Sequence, residues 1–184
     1  LEIPYIWQGG MAIQGGIIFA CIAAYFYLKK HQIPVLPFAD TVTPGIILGQ
    51  AIGRIANFMN GDAFGHPTGQ DFGLLYPDTT LAYHTYGAQP LWPAEVWECQ
   101  GDLLIFVLLL WYGCKTRAEG TTFCLYIMFY SLLRFFLENY RGDYGTLALG
   151  LKSAQLTSLA AFAGAFILFL YFHFKHKSKS GISE

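Results

Sequence analysis

Long apolar stretches, each closed by a short polar or turn-forming segment, set the plan of this chain. Residues 9–28 carry no charge, and about 20 apolar residues suffice to span a bilayer. Glycines and an alanine at the start of that run (Gly9, Gly10, Ala12, Gly15, Gly16) suit close helix contact, and Lys29, Lys30 and His31 end it. A loop with Pro34 and Pro37 leads to a second span over about 41–61. The third, about 94–113, opens with Glu95, Glu98 and Asp102 before the wholly apolar Leu103–Leu110. A short basic loop precedes the fourth, about 121–138, and a Gly/Asp turn at 142–145 precedes the fifth, about 153–173. Residues 62–93 break the pattern, being polar, rich in turn residues and without lysine or arginine, which predicts a surface loop or small head region. The expected fold is all-α: a polytopic integral membrane helix bundle of about five transmembrane helices, forming one membrane domain over 1–184.

Charge gives that bundle an orientation. Lys29, Lys30, Lys115, Arg117, Lys175, Lys177 and Lys179 sit in the loops after spans one and three and in the tail, and they make up seven of the eleven basic residues. Positive charge favours the cytoplasmic side, so the 174–184 tail is expected there and the 62–93 loop outside, as an extracytoplasmic subdomain. Charged residues are 12% of the chain, about half the share in soluble domains, which agrees with a membrane protein. No basic run stands beside a nucleic-acid recognition motif, so no nucleic-acid partner is expected. Cys21, Cys99, Cys114 and Cys124 form no C-x-x-C pair and read as small core residues. The chain opens on Leu1 with no basic segment or cleavage site, and reads as lacking a signal peptide and an N-terminal part.

Four basic residues fall outside this bias: Arg54, Arg134, Arg141 and Lys152 lie toward the outer half or outer ends of spans. An arginine at a bilayer centre costs roughly 2.5–3.5 kcal/mol, so Arg54, within the apolar run from Pro44, needs a reason. Arg54 and Asn57 are three apart and share a helical face, a fork and a carboxamide suited to phosphate oxygens. In the fourth span Tyr130, Arg134 and Glu138 recur every fourth residue, followed by Arg141. Glu95, Glu98 and Asp102 share a face of the third span. Two readings stay open: a buried ion-pair network tying three helices together, or an outward-facing pocket for an anionic headgroup. His66 and His84 have no ligand-like spacing, so no metal site is expected, and no G-x-S-x-G, H-E-x-x-H or P-loop pattern occurs.

Several blocks resemble one family. Gly53-Arg54-Ile55-Ala56-Asn57-Phe58-Met59-Asn60-Gly61, followed by Gly65, is similar to the signature of the prolipoprotein diacylglyceryl transferases. Trp7-Gln8-Gly9-Gly10-Met11-Ala12 with Gly15-Gly16 resembles that family's first glycine-rich segment, and Pro93-Ala94-Glu95-Val96-Trp97-Glu98 its H-P-[ST]-Q-L-Y-E segment. Tyr130-Ser131-Leu132-Leu133-Arg134-Phe135 with Glu138 resembles its Y-x-x-x-R-F-x-x-E motif, and Gly150–Leu159 the segment opening its last span. The blocks keep the family's order over nearly the whole chain. Members usually have seven spans, two of which would precede Leu1. Gln14 and Trp92 stand where the family often has histidine, and Glu95 where it has glutamine, so no histidine-base role carries over.

The resemblance implies a multi-pass enzyme of the bacterial cytoplasmic (inner) membrane, its tail cytoplasmic and its site on the extracytoplasmic side. It would move the diacylglyceryl group of phosphatidylglycerol to the lipobox cysteine of a prolipoprotein signal peptide, the first step of lipoprotein maturation. A thioether forms and glycerol phosphate leaves; no cofactor is implied, and the partners are the two substrates and membrane lipids. Arg54, Arg134 and Tyr130 are the expected catalytic residues, with Arg54, Asn57, Asn60, Gly65, Glu138, Arg141 and Gln14 binding substrate. Glu138, Tyr130 and the phosphate itself stay open as acceptors of the thiol proton. The alternative is a non-catalytic lipid-binding or transport membrane protein with an arginine-lined headgroup site.

Overall fold

The computed structural model describes residues 13–114, 118–142, 146–148 and 151–180. In chain order these form α1 (Ile13–Lys30), α2 (Val35–Asn60), α3 (Leu81–Tyr86), α4 (Ala94–Gly113), α5 (Thr121–Leu137), a 3₁₀ turn (Glu138–Tyr140), β1 (Thr146–Ala148), β2 (Leu151–Lys152) and α6 (Ser153–Ser180). The helical class predicted from the apolar pattern therefore holds, with one addition: β1 and β2 pair as a small antiparallel ribbon. Val35–Asn60, Thr121–Tyr140 and Ser153–Lys177 are long and apolar enough to cross a membrane. The glycine-rich block from Trp7 to Ala12 lies outside the described residues.

The chain divides into two compact units, Leu1–Phe38 and Ala39–Glu184. In the first, α1 carries Lys29 and Lys30 in its last turn, where cations complement the helix dipole. Gln32 at φ 55° then reverses the chain, and the Ile33 amide closes on the Leu28 carbonyl at 2.9 Å. Phe19, Ile18 and Phe26 stand more than half exposed, as suits a helix whose surroundings are apolar.

The second unit holds most of α2 with α4, α5 and α6. Its core is Ile47 of α2 with Ile105 and Leu109 of α4, against which Leu125, Phe129 and Leu133 of α5 pack. Gly101 lets α4 and α5 approach: a Cβ there would lie 2.5 Å from the Leu133 methyls. Asp40, nearly buried on α2, accepts the Gly120 amide at 2.7 Å and the Phe123 amide at 2.9 Å, so a carboxylate from another helix caps the start of α5.

Two element limits differ from those predicted. α2 begins at Val35, because Pro37 falls in its first turn, where a missing N–H costs no helical bond. Pro44, where the apolar run opens, lies inside the helix. At the other end, α6 runs on as helix to Ser180, well beyond the apolar stretch.

The 62–93 segment folds on its own small core of Phe64, Ala82 and Leu91. Gly61 at φ 66° ends α2 against Thr80, whose hydroxyl caps α3 through the Tyr83 amide at 3.4 Å. This segment reaches the end of α5 through its backbone. Gly65 bridges to Arg141, the His66 amide donates to the Tyr140 carbonyl at 2.9 Å, and the Gly142 amide donates to the Phe64 carbonyl at 3.3 Å.

Candidate active site

Helical spacing alone brings Arg54 near Asn57 and Tyr130 near Arg134; what draws the two helices' residues together is Glu98 of α4. Its Oε1 accepts from Arg54 Nη2 at 2.8 Å and from the Tyr130 hydroxyl at 3.4 Å. Its Oε2 accepts from Arg134 Nη1 at 3.1 Å and Arg141 Nη1 at 3.4 Å. One carboxylate of α4 therefore meets three guanidinium groups and a phenol, from α2, α5 and the segment after the 3₁₀ turn.

A second carboxylate continues the cluster. Glu138, fully buried, faces Arg134 Nη2 at 2.9 Å and Lys152 Nζ at 4.0 Å, as ion-pair contacts without aligned hydrogen bonds. Lys152 is fixed by donating to the Glu138 and Arg141 carbonyls at 2.8 and 2.6 Å. Gln155 of α6 ties in the same corner, donating to Asn139 Oδ1 at 3.1 Å and accepting the Lys152 amide at 3.0 Å. Four cations thus meet two paired carboxylates, with Asp62 reached through Asn57.

Exposure gives the cluster a front and a back. The Glu98 side chain is 1% exposed and that of Arg141 5%, whereas those of Arg54 and Arg134 are 20% and 15% exposed. A ligand arriving at the open side meets the two arginines with the carboxylate behind them. Beside Arg134 and Tyr130, a groove of about 330 Å³ runs between α5 and α6, floored by small residues such as Ala154, Ser158 and Ala161.

Asn57 links the cluster to the loop, accepting from Arg54 Nη1 at 3.2 Å and donating to Asp62 Oδ1 at 2.6 Å. Asn57→Ala is expected to free Arg54 and to weaken any activity that uses it several-fold, with protein levels unchanged. Assaying the variant in membranes at matched abundance checks this, and full activity would reduce Asn57 to packing. Gly65 is required by a close approach: a Cβ there would overlap the Trp92 carbonyl, so only glycine lets this strand lie between Trp92 and Arg141.

Of the residues singled out in the sequence, Arg54, Asn57, Tyr130, Arg134, Glu138 and Arg141 come together, with Gly65 behind Arg141. Asn60 is exposed on the last turn of α2, and Gln14 lies on α1 in the first unit. Sequence reasoning left Glu98 out of the site. Its signal was an acid in an apolar helix of a chain whose unexplained cations are mostly arginines, but Glu95 and Asp102 offer the same signal.

The family described as prolipoprotein diacylglyceryl transferase matches residues 1–171. Among curated proteins, a phosphatidylglycerol–prolipoprotein diacylglyceryl transferase of Halalkalibacterium halodurans is 33% identical over 173 residues, covering 93% of this chain and 60% of that protein. Proteins of the same name from Staphylococcus saprophyticus and a Nostoc species are 38% and 39% identical, covering 86% and 88% of this chain and 58% and 59% of theirs. The chain thus spans about 60% of the length of the relatives it matches. That extent makes the chain a member of the prolipoprotein diacylglyceryl transferase family.

Proposed function

We propose that this protein transfers the diacylglyceryl group of phosphatidylglycerol to a lipobox cysteine thiol, with Arg54 and Arg134 holding the phosphate. The observation that carries this reading is the pair of part-exposed guanidinium groups standing 2.8 and 3.1 Å in front of Glu98. The reacting carbon bears the phosphate oxygen, so the sulfur must approach opposite that oxygen while the bond to it breaks. Charge then gathers on the leaving phosphate, and fixed donors aimed there lower the barrier most. Tyr130 and Glu98 keep the Arg134 fork in place before substrate arrives. The α5–α6 groove beside it suits a lipid chain entering from the bilayer.

The bundle is proposed to cross the membrane five times, with α1 and α4 as spans beside the three helices already long and apolar enough to do so. The 62–93 segment and the site face outward, and the C-terminal tail faces the cytoplasm. Cysteine placed at Thr79, an exposed position of that segment, is expected to react with an impermeant reagent added outside, and cysteine at Ser178 to be spared. The reverse pattern would overturn this orientation.

The proposed role itself is tested in cells. The parent gene should restore growth and lipoprotein maturation in a bacterium depleted of its own transferase. Stable expression without maturation would favour a lipid-binding role without chemistry.

A further inference from the structure

The groove between α5 and α6 begins at Arg134 and continues along both helices, away from the ion-pair cluster. Tyr126, Tyr130 and Arg134 recur every fourth residue and form its α5 wall. Their polar tips are tied off. Tyr126 donates to Gln50 Oε1 of α2 at 2.9 Å, Tyr130 to Glu98 Oε1 at 3.4 Å, and Arg134 to Glu98 Oε2 at 3.1 Å. The two tyrosine rings stack with centroids 6.1 Å apart and planes 21° apart, which holds their apolar bodies in place as a wall. On α6, Ala154, Ser158 and Ala161 share one helical face, and their small size is what leaves the space open. Thr157 spends its hydroxyl on the Ser153 and Ala154 carbonyls at 3.1 and 3.0 Å. Of the described residues that line the groove, Arg134 alone is charged.

Length and direction fit a lipid tail. At about 1.5 Å per residue, α5 rises about 12 Å from Tyr126 to Arg134. Half of a bilayer's hydrocarbon core is about 15 Å, so the groove spans most of one leaflet. In the orientation proposed above, Arg134 stands at the outer end and Tyr126 and Ala161 lie toward the bilayer centre. A cation above an uncharged trough is complementary to an anionic lipid, whereas an extended peptide would leave its backbone polar groups unpaired there. We propose that the groove seats one fatty acyl chain of the lipid whose phosphate Arg134 holds, and that Ala161, at its inner end, sets which chain lengths are accepted. The inference rests on the transferase reading and adds chain selectivity to it. A chain outside the groove still lies among lipid tails, so what the groove supplies is packing and alignment rather than escape from water. A chain laid along α5 fixes the glycerol backbone, and with it the line on which sulfur meets the breaking carbon–oxygen bond. A short chain ends before Ala161, and a long one passes it.

The test compares transfer to a lipobox peptide from dihexanoyl and dioleoyl phosphatidylglycerol, by purified protein in detergent. Ala161 is exposed, so a larger residue there presses on no core. Ala161→Phe is expected to lower the ratio of dioleoyl to dihexanoyl transfer about tenfold or more, since a small misplacement of a reactant costs up to about 10²-fold. Ala160→Phe, at the neighbouring exposed position outside the groove, should keep the ratio of the unaltered protein. An unchanged ratio with Ala161→Phe, which general damage to the bundle would also give, overturns the proposal, as does an equal fall with Ala160→Phe. Should the Ala161→Phe protein not accumulate, a mid-chain diazirine on the lipid decides in the unaltered protein. Phosphatidylglycerol so labelled should mark the α5 and α6 peptides holding Ile127 and Ala161 well above phosphatidylcholine with the same chains. Equal marking by both lipids, or none, overturns the groove. No transfer from either phosphatidylglycerol by the unaltered protein is a different failure: it removes the transferase reading, and the labelling alone then decides the groove.

Discussion

Replacing Arg54 or Arg134 by alanine is expected to abolish diacylglyceryl transfer while leaving the protein in the membrane. Each guanidinium contacts Glu98 from a different helix and is the exposed partner of its pair. Loss of one donor at a developing anion costs about 10²–10³ in rate, and both arginines address the same leaving group. Lysine keeps the charge but not the planar fork, so Arg54→Lys should be strongly impaired as well. An arginine serving only to tie helices predicts otherwise: alanine would lower the amount of protein, and lysine would largely restore it. Transfer to a lipobox peptide, normalised to membrane abundance, separates the two. Near-normal transfer by well-inserted Arg54→Ala protein would remove the clamp.

The second large effect belongs to Glu98. Its removal leaves the guanidinium groups of Arg54, Arg134 and Arg141 without their shared carboxylate, and Arg141 is nearly buried. Withdrawing one partner of a buried ion pair costs about 3–5 kcal/mol, because the remaining charge stays desolvated. Glu98→Gln is therefore expected to lower thermal stability in detergent well below that of any surface variant. Phosphatidylglycerol, as the proposed substrate, would supply an anion to the same arginines and should recover part of the loss, whereas a zwitterionic lipid should not. Equal recovery by both lipids would mean that the phosphate does not reach the cluster.

Much of this site was visible in spacing alone. The Arg54–Asn57 pair and the Tyr130, Arg134, Glu138, Arg141 series follow from helical periodicity, and the folded chain keeps both together. Glu98 was not separable from Glu95 and Asp102, because one face of α4 carries all three. Which of them meets the arginines depends on how α4 crosses α5, and that crossing is set by Gly101 against Leu133, a contact between distant residues. Gly65 was legible as a glycine under constraint, but its neighbours Trp92 and Arg141 come from two other segments. The start of α2 is hidden in the sequence because two prolines look like a loop, although one in the first turn of a helix is tolerated. The apolar stretch of α6 ends before the helix does, because backbone bonding continues into its polar turns.

The central claim is that the arginine cluster holds a phosphate that leaves as sulfur attacks. Its most direct measurement follows both products in one reaction. Purified protein in phosphatidylglycerol vesicles is given a lipobox peptide, and peptide mass and released glycerol phosphate are recorded together. The account predicts a thioether-linked diacylglyceryl peptide and glycerol phosphate in equal amounts, both absent with Arg54→Ala and Arg134→Ala. Lipid that binds the unaltered protein but yields neither product would contradict it.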